Sequence, residues 1–115
     1  MKNLGNTPVN KKEREAIEAA VGMLRDRFPV ERVILFGSKV RGDSDEHSDI
    51  DLLVVTSHSL HWKEEKDIVD TLFDLGMEHD VIFSPLFASR EEWERGIFRE
   101  FPIYRAIIEE GALVP

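Results

Sequence analysis

The stretch Asp49-Ile50-Asp51-Leu52-Leu53-Val54-Val55-Thr56 constrains this chain more than any other. From Leu52 to Val55 it is an unbroken apolar run, the pattern of a strand buried on both faces. Yet the run opens on two carboxylates, at positions i and i+2. Residues two apart on a strand point to the same face, so Asp49 and Asp51 stand side by side, with Cα atoms roughly 6–7 Å apart at ~3.3 Å per residue. Charges so placed repel. The arrangement is stable when a cation sits between them or when one of them holds a proton.

The periodicities on either side predict a small α/β (α+β) domain covering residues 1–115, with residues 1–9 a loose N-terminal arm. Asn10 and Glu13 have the spacing of a capping box, and Ile17, Ala20, Val21, Leu24 and Phe28 recur at helical spacing before Pro29 stops the helix. Arg32 to Phe36 reads as a short buried strand ending at Gly37, and residues 37–48 as a polar connection with room for one helical turn. After the carboxylate-led strand, Ser57 or Ser59 would cap a second helix with Ile68, Val69, Leu72, Phe73 and Leu75 inward, ended by Gly76. His79 to Ser84 reads as a third strand closed by Pro85. Ser89 with Glu92 is a further capping box, and Phe101 to Glu109 a last helix ended by Gly111. The order α-β-β-α-β-α-α implies a small mixed sheet flanked by helices.

Topology brings a third carboxylate toward the pair. A strand-helix-strand crossover makes its two strands parallel, so Asp51 and Asp80, each at an N-terminal strand end, are expected at one end of the sheet. If the first strand runs antiparallel to the second, Gly37-Ser38 arrives there too. The expected cluster is Gly37, Ser38, Asp49, Asp51 and Asp80. With no Cys in the chain, zinc–thiolate sites, disulfides and cysteine nucleophiles are excluded. Hard oxygen ligands point to Mg²⁺. Gly37 permits close backbone approach to a ligand, and a helical turn after it would present N–H groups to an anion. A phosphate bridged to carboxylates by Mg²⁺ is the minimum equipment for metal-assisted phosphoryl or nucleotidyl transfer, with two ions clamping the attacking and leaving oxygens.

Charge narrows the partners. With 15 Lys+Arg against 23 Asp+Glu the net charge is −8, which disfavours unaided nucleic-acid binding and suits cations or a basic protein. No apolar run approaches the ~20 residues of a membrane span, and Met1 to Glu15 lacks the apolar core of a secretory signal, so the expected location is cytoplasmic. Gly37-x4-Gly42-Asp43-Ser44 imitates a P-loop but has Asp where the phosphate-binding Lys belongs. The alternating carboxylates from Asp43 to Asp51 imitate an EF-hand, but Ser48 replaces its Gly and Val54 its bidentate Glu. His58 and His61 read as solvated, and Tyr104 as core. Phe98, Phe101 and Ile107 are candidates to face a partner or a second copy.

Gly37-Ser38, ten residues, then Asp49-Ile50-Asp51 is the G-S-x10-D-x-D pattern. On it the chain resembles the minimal nucleotidyltransferase domains of the DNA polymerase β superfamily, over roughly residues 12–110. Gly37-Ser38-Lys39-Val40-Arg41-Gly42 is similar to that family's loop, and Asp80 falls where the family carries its third carboxylate. The resemblance implies Mg²⁺ dependence and transfer of a nucleoside monophosphate from an NTP such as ATP to a hydroxyl. Gly37 and Ser38 would hold phosphates, with Lys39 and Arg41 candidates to join them. Asp49 and Asp51 would hold the metals, and Asp80 would serve the acceptor hydroxyl or bind metal. Small stand-alone members are commonly antitoxins paired with a helical HEPN-domain toxin, some of them adenylylating it. The alternative is a non-catalytic acidic module that neutralises a basic partner by binding.

Overall fold

The carboxylate-led run forms a strand, and the rest of the chain is arranged around it. The computed structural model describes residues 1–45 and 47–115. In chain order the elements are β1 (Lys2–Asn3), α1 (Lys11–Arg27), β2 (Val30–Phe36), α2 (Ser38–Arg41), β3 (Ile50–Thr56), α3 (Trp62–His79), β4 (Phe83–Ser89), α4 (Arg90–Arg95), α5 (Pro102–Glu110) and β5 (Ala112–Val114). The sheet order is β1-β5-β2-β3-β4. β2 runs antiparallel to β3, with Phe36 opposite Asp51, and β4 runs parallel to β3, with Ser84 opposite Asp51. This is the mixed sheet expected, in the orientation that carries Gly37 to the start of β3.

Alternation along β3 divides the core. Ile50, Leu52 and Val54 pack with Val33, Leu35 and the inner residues Ile17, Val21 and Leu24 of α1 and Ile68 and Leu72 of α3. Leu53 and Val55 pack on the other face with Ile34, Trp93, Tyr104 and Ile107. Asp49 and Asp51 belong by the same alternation to this second face, which α5 covers only in part. Tyr104 is a core residue, its ring 5.1 Å from Phe98 and 6.3 Å from Trp93. The Asn10–Glu13 and Ser89–Glu92 capping boxes both form.

Several local expectations are corrected. The first residues are not a loose arm: Lys2 and Asn3 pair with β5, and Leu4 and Val9 are buried. His61, not Ser57 or Ser59, caps α3, in a box with Glu64. Gly76 does not end that helix. A Cβ there would meet the Val81 carbonyl oxygen at 2.6 Å, so the glycine makes room for the returning chain while the helix runs on to His79. Asp80 ends it in the left-handed conformation, φ 57°, which Asp tolerates better than most residues. The third strand therefore starts at Phe83, and Pro85 lies inside it. Val69 and Phe73 face outward, and Ile107, offered as a partner-facing residue, is buried.

Candidate active site

β2 ends at Phe36, and the chain must turn at once into α2 while passing the start of β3. Gly37 makes that possible with φ 78° and ψ −151°. A Cβ at this position would collide with Oδ2 of Asp51. The glycine is therefore needed twice, for its backbone conformation and for the contact between backbone and carboxylate. The one-turn α2 starts at Ser38, and its first N–H groups, like those of any helix, have no acceptor within it.

Phe36, Gly37, Ser38, Arg41 and Asp51 form one side of a groove of about 340 Å³, with Ile103, Ala106 and Glu110 of α5 forming the other. Asp51 is half-buried in it. Burial pushes its carboxyl above the ordinary aspartate value of 3.8, the charge of Asp49 pushes the same way, and Arg41 opposes both. Among the described residues no cation is ion-paired to either carboxylate. Arg41 is held at the rim by Asp43, at 3.2 Å, and by Glu110, at 3.8 Å. It lines the groove together with Ser38 and Asp51, and an anion bound there would compete with Asp43 and Glu110 for its guanidinium.

Two of the residues singled out in the sequence lie elsewhere. Lys39 points away from the groove into the protein, ion-paired with Glu13 of α1 and donating to the Asp45 carbonyl oxygen at 2.8 Å. Its partner Glu13 would be raised by burial, but the hydrogen bond from Lys39 and the backbone N–H of Asn10 outweigh that and hold it below 4.5. Asp80 is exposed and pairs with Lys12 at 3.0 Å. It lines a different cavity, of about 480 Å³, with Lys12, Ser48, Ile50 and Met77, on the α1–α3 side of the sheet. The structure thus brings Gly37, Ser38, Arg41 and Asp51 together, with Asp49 beside them, and leaves Lys39 and Asp80 out. Among the described residues no three His, Cys, Asp or Glu converge as a metal cage.

Sequence reasoning missed the far wall of the groove and Ser84. The parallel register sets Ser84 beside Asp51 on the same face of the sheet, so a hydroxyl occupies the spot where a third carboxylate was expected. No periodicity signals that position; it follows only from where β4 starts.

A mixed sheet with a Gly-Ser turn after one strand, facing paired carboxylates at the start of its antiparallel neighbour, is a nucleotidyl-transfer scaffold. The nucleotidyltransferase domain model matches residues 17–114, and the chain belongs to that family. It is 30% identical over 104 residues to "Putative protein adenylyltransferase MJ0604" of Methanocaldococcus jannaschii, covering 89% of this chain and 97% of that one. It is 38% identical over 64 residues to "Putative protein adenylyltransferase MJ0141" of the same organism, covering 56% of this chain and 63% of that one. The crystal structure of a toxin-antitoxin with AMP-PNP shares the fold, with TM-score 0.57 and 18% identity over 90% of this chain and 72% of that one. Among the described residues no helix is long and apolar enough to cross a membrane.

Proposed function

We propose that this chain transfers AMP from ATP to a hydroxyl on a partner protein, using Mg²⁺ held by Asp49 and Asp51. The observation that carries this reading is the Asp51 carboxylate, half-buried against Gly37, with a like charge beside it and no cation paired to it among the described residues. The fold maintains a repulsion that a divalent cation would remove.

The donor set fits Mg²⁺. That ion is commonly bound by one or two carboxylates plus substrate phosphates and water, not by an all-protein cage. Bound there, Mg²⁺ would neutralise phosphate charge and align the nucleotide. The two-ion expectation leaned on a third carboxylate, and this reading assigns metal to Asp49 and Asp51 alone. Ser38, the first N–H groups of α2 and Arg41 bind and orient the phosphates. Phe36 and Ile103 give the groove apolar walls. In the transfer the acceptor oxygen bonds to the α-phosphorus, the bond to the bridging oxygen of the β-phosphate breaks, and pyrophosphate leaves. The acceptor's proton passes to solvent or to Asp51.

The adenylyl group and the protein acceptor are supported by the names carried by the two Methanocaldococcus relatives. The partner we favour is a toxin of the helical HEPN type, with this chain as its antitoxin. The toxin-antitoxin neighbour supports that, as does the family resemblance of the Gly37-to-Asp51 motif.

The test is incubation with Mg²⁺ and α-labelled ATP, alone and with the product of the neighbouring gene. We expect label on that product, reduced at least ~10³-fold, about 4 kcal/mol of transition-state stabilisation, by Asp49→Asn/Asp51→Asn. A tight complex with no label in either case would overturn transfer in favour of neutralisation by binding.

A further inference from the structure

The far wall of the groove breaks its own pattern at one residue. Ile103, Ala106 and Glu110 recur at i, i+3 and i+7, so α5 turns one face to the groove, apolar at its first two positions and charged at its last. A groove that takes polyphosphate is ill served by that charge. Mg²⁺ accounts for Asp49 and Asp51, but Glu110 stands on the opposite wall. It also stands against its own helix. The last turn of α5 carries Glu109 and Glu110 and no basic residue, and carboxylates are disfavoured at the negative end of the helix dipole. A local rule broken in this way is expected at functional sites.

What Glu110 touches supplies the reason. Its Oε2 lies 3.8 Å from Nη1 of Arg41, so the pair joins the two walls across the groove. The other partner of Arg41, Asp43, is two residues further along the same loop, at 3.2 Å, and does not line the groove. An anion entering between the walls therefore has Glu110 to displace.

We propose that Glu110 is a stand-in for phosphate. It holds the Arg41 guanidinium until a phosphate takes it, and takes it back when pyrophosphate leaves, so it sets how tightly the groove holds polyphosphates. This rests on the nucleotidyl-transfer reading for the identity of the anion alone. The pair is suited to exchange. Its side chains are 47% and 42% exposed, and an ion pair so wetted is worth at most about fivefold in an equilibrium, little enough for a triphosphate to overcome. Removing the carboxylate from the resting protein favours substrate, transition state and product alike. Such uniform tightening lowers KM and does not raise kcat.

The test is titration calorimetry of the full chain with Mg²⁺ and two probes, inorganic tripolyphosphate and α,β-methylene-ATP. Glu110→Gln is expected to tighten both by about 3–10-fold. Glu109→Gln removes the same charge from the same helix end outside the groove, and is expected to change either by less than about twofold. In an Arg41→Gln background the gain from Glu110→Gln is expected to fall below about twofold, because the carboxylate then has no guanidinium to withhold. In turnover with labelled ATP, Glu110→Gln should lower KM by a similar factor with kcat no higher, a split that a merely structural residue would not produce. Weaker binding in Glu110→Gln overturns the proposal and makes the carboxylate a ligand of the nucleotide or its metal. A gain that survives intact in Arg41→Gln overturns it too, leaving only a change in charge. A chain that labels its partner but shows no effect of Glu110→Gln loses this proposal alone. One that labels nothing while tripolyphosphate shows the full pattern loses the transfer reading alone. Binding of neither probe by any variant overturns both.

Discussion

On the α1 side of the sheet, the carboxylate of Glu13 is buried against a lysine; on the other side, that of Asp51 is half-buried with a second carboxylate near it. Burial raises the proton affinity of both. At Glu13 the Lys39 ammonium and the Asn10 N–H outweigh that effect and the carboxyl stays low. At Asp51 the neighbouring Asp49 adds to it and the carboxyl goes up, with only Arg41 opposing. The linkage signs are therefore opposite. Glu13 contributes stability that is present above its ordinary value of 4.5 and is lost as pH falls through its lowered one. Asp51 contributes stability that is present below its ordinary value of 3.8 and is lost as pH rises through its raised one. At neutral pH one carboxylate holds the fold together and the other is a burden on it. A burden of that kind persists where a ligand removes it.

The largest effect that tests this contrast is at Lys39. Lys39→Met leaves Glu13 charged, buried and unpaired, and is expected to cost about 3–5 kcal/mol in urea unfolding, most of it recovered in Lys39→Met/Glu13→Leu. A variant of normal stability with weakened ATP binding would instead return Lys39 to the phosphates. Next is Gly37→Ala. The glycine's φ of 78° with ψ −151° lies in a region essentially confined to glycine and alone costs about 1–3 kcal/mol for Ala, and the new Cβ displaces the Asp51 carboxylate, so nucleotide-dependent protection against heat should be lost and the fold weakened. Smaller, and of opposite sign, is Asp51→Asn. It should abolish transfer yet raise stability at pH 7 by roughly 0.5–2 kcal/mol, the gain common when a functional burden is removed. The gain should shrink as pH is lowered through the Asp51 value, and raising the Mg²⁺ concentration should shift the acid limb of wild-type activity downward. A destabilised Asp51→Asn would mean that the carboxylate is structural.

The central part of the site was legible because few physical alternatives exist for it. An apolar run led by Asp49 and Asp51 has one reading as a strand, a helical crossover has one handedness, and a glycine between strand and turn has few purposes. What escaped depended on phase. Lys39 follows Ser38 by one residue, and only the placement of a single helical turn decides that it points at Glu13 instead of the groove. Ser84 escaped because helix α3 outran Gly76 by three residues, shifting the start of β4 and hence the register opposite Asp51. Val69 and Phe73 each sit one residue after a core position, Ile68 and Leu72, so a wide apolar face and a core with exposed apolar residues beside it give the same pattern. β1 and β5, at two and three residues, are too short for any periodicity to show.

Asp80 gives the smallest expected effect and the sharpest discrimination. It was expected to meet Asp49 and Asp51, and the parallel crossover did carry it to the same end of the sheet. The extra turn of α3 then left it on the wrong face, exposed and paired with Lys12 at 3.0 Å. An exposed pair is worth roughly 0.2–1 kcal/mol, and Asn keeps the left-handed conformation that the cap requires. Asp80→Asn should therefore change stability by less than about 1 kcal/mol and labelling by less than about threefold. Ser84→Ala, at the position that does neighbour Asp51, should lower labelling more than Asp80→Asn does while leaving the fold intact. If the order were reversed, with Asp80→Asn crippling transfer and Ser84→Ala silent, the chain would have to rearrange around α3 when nucleotide binds. The contrast between the two faces would then belong to the resting state alone.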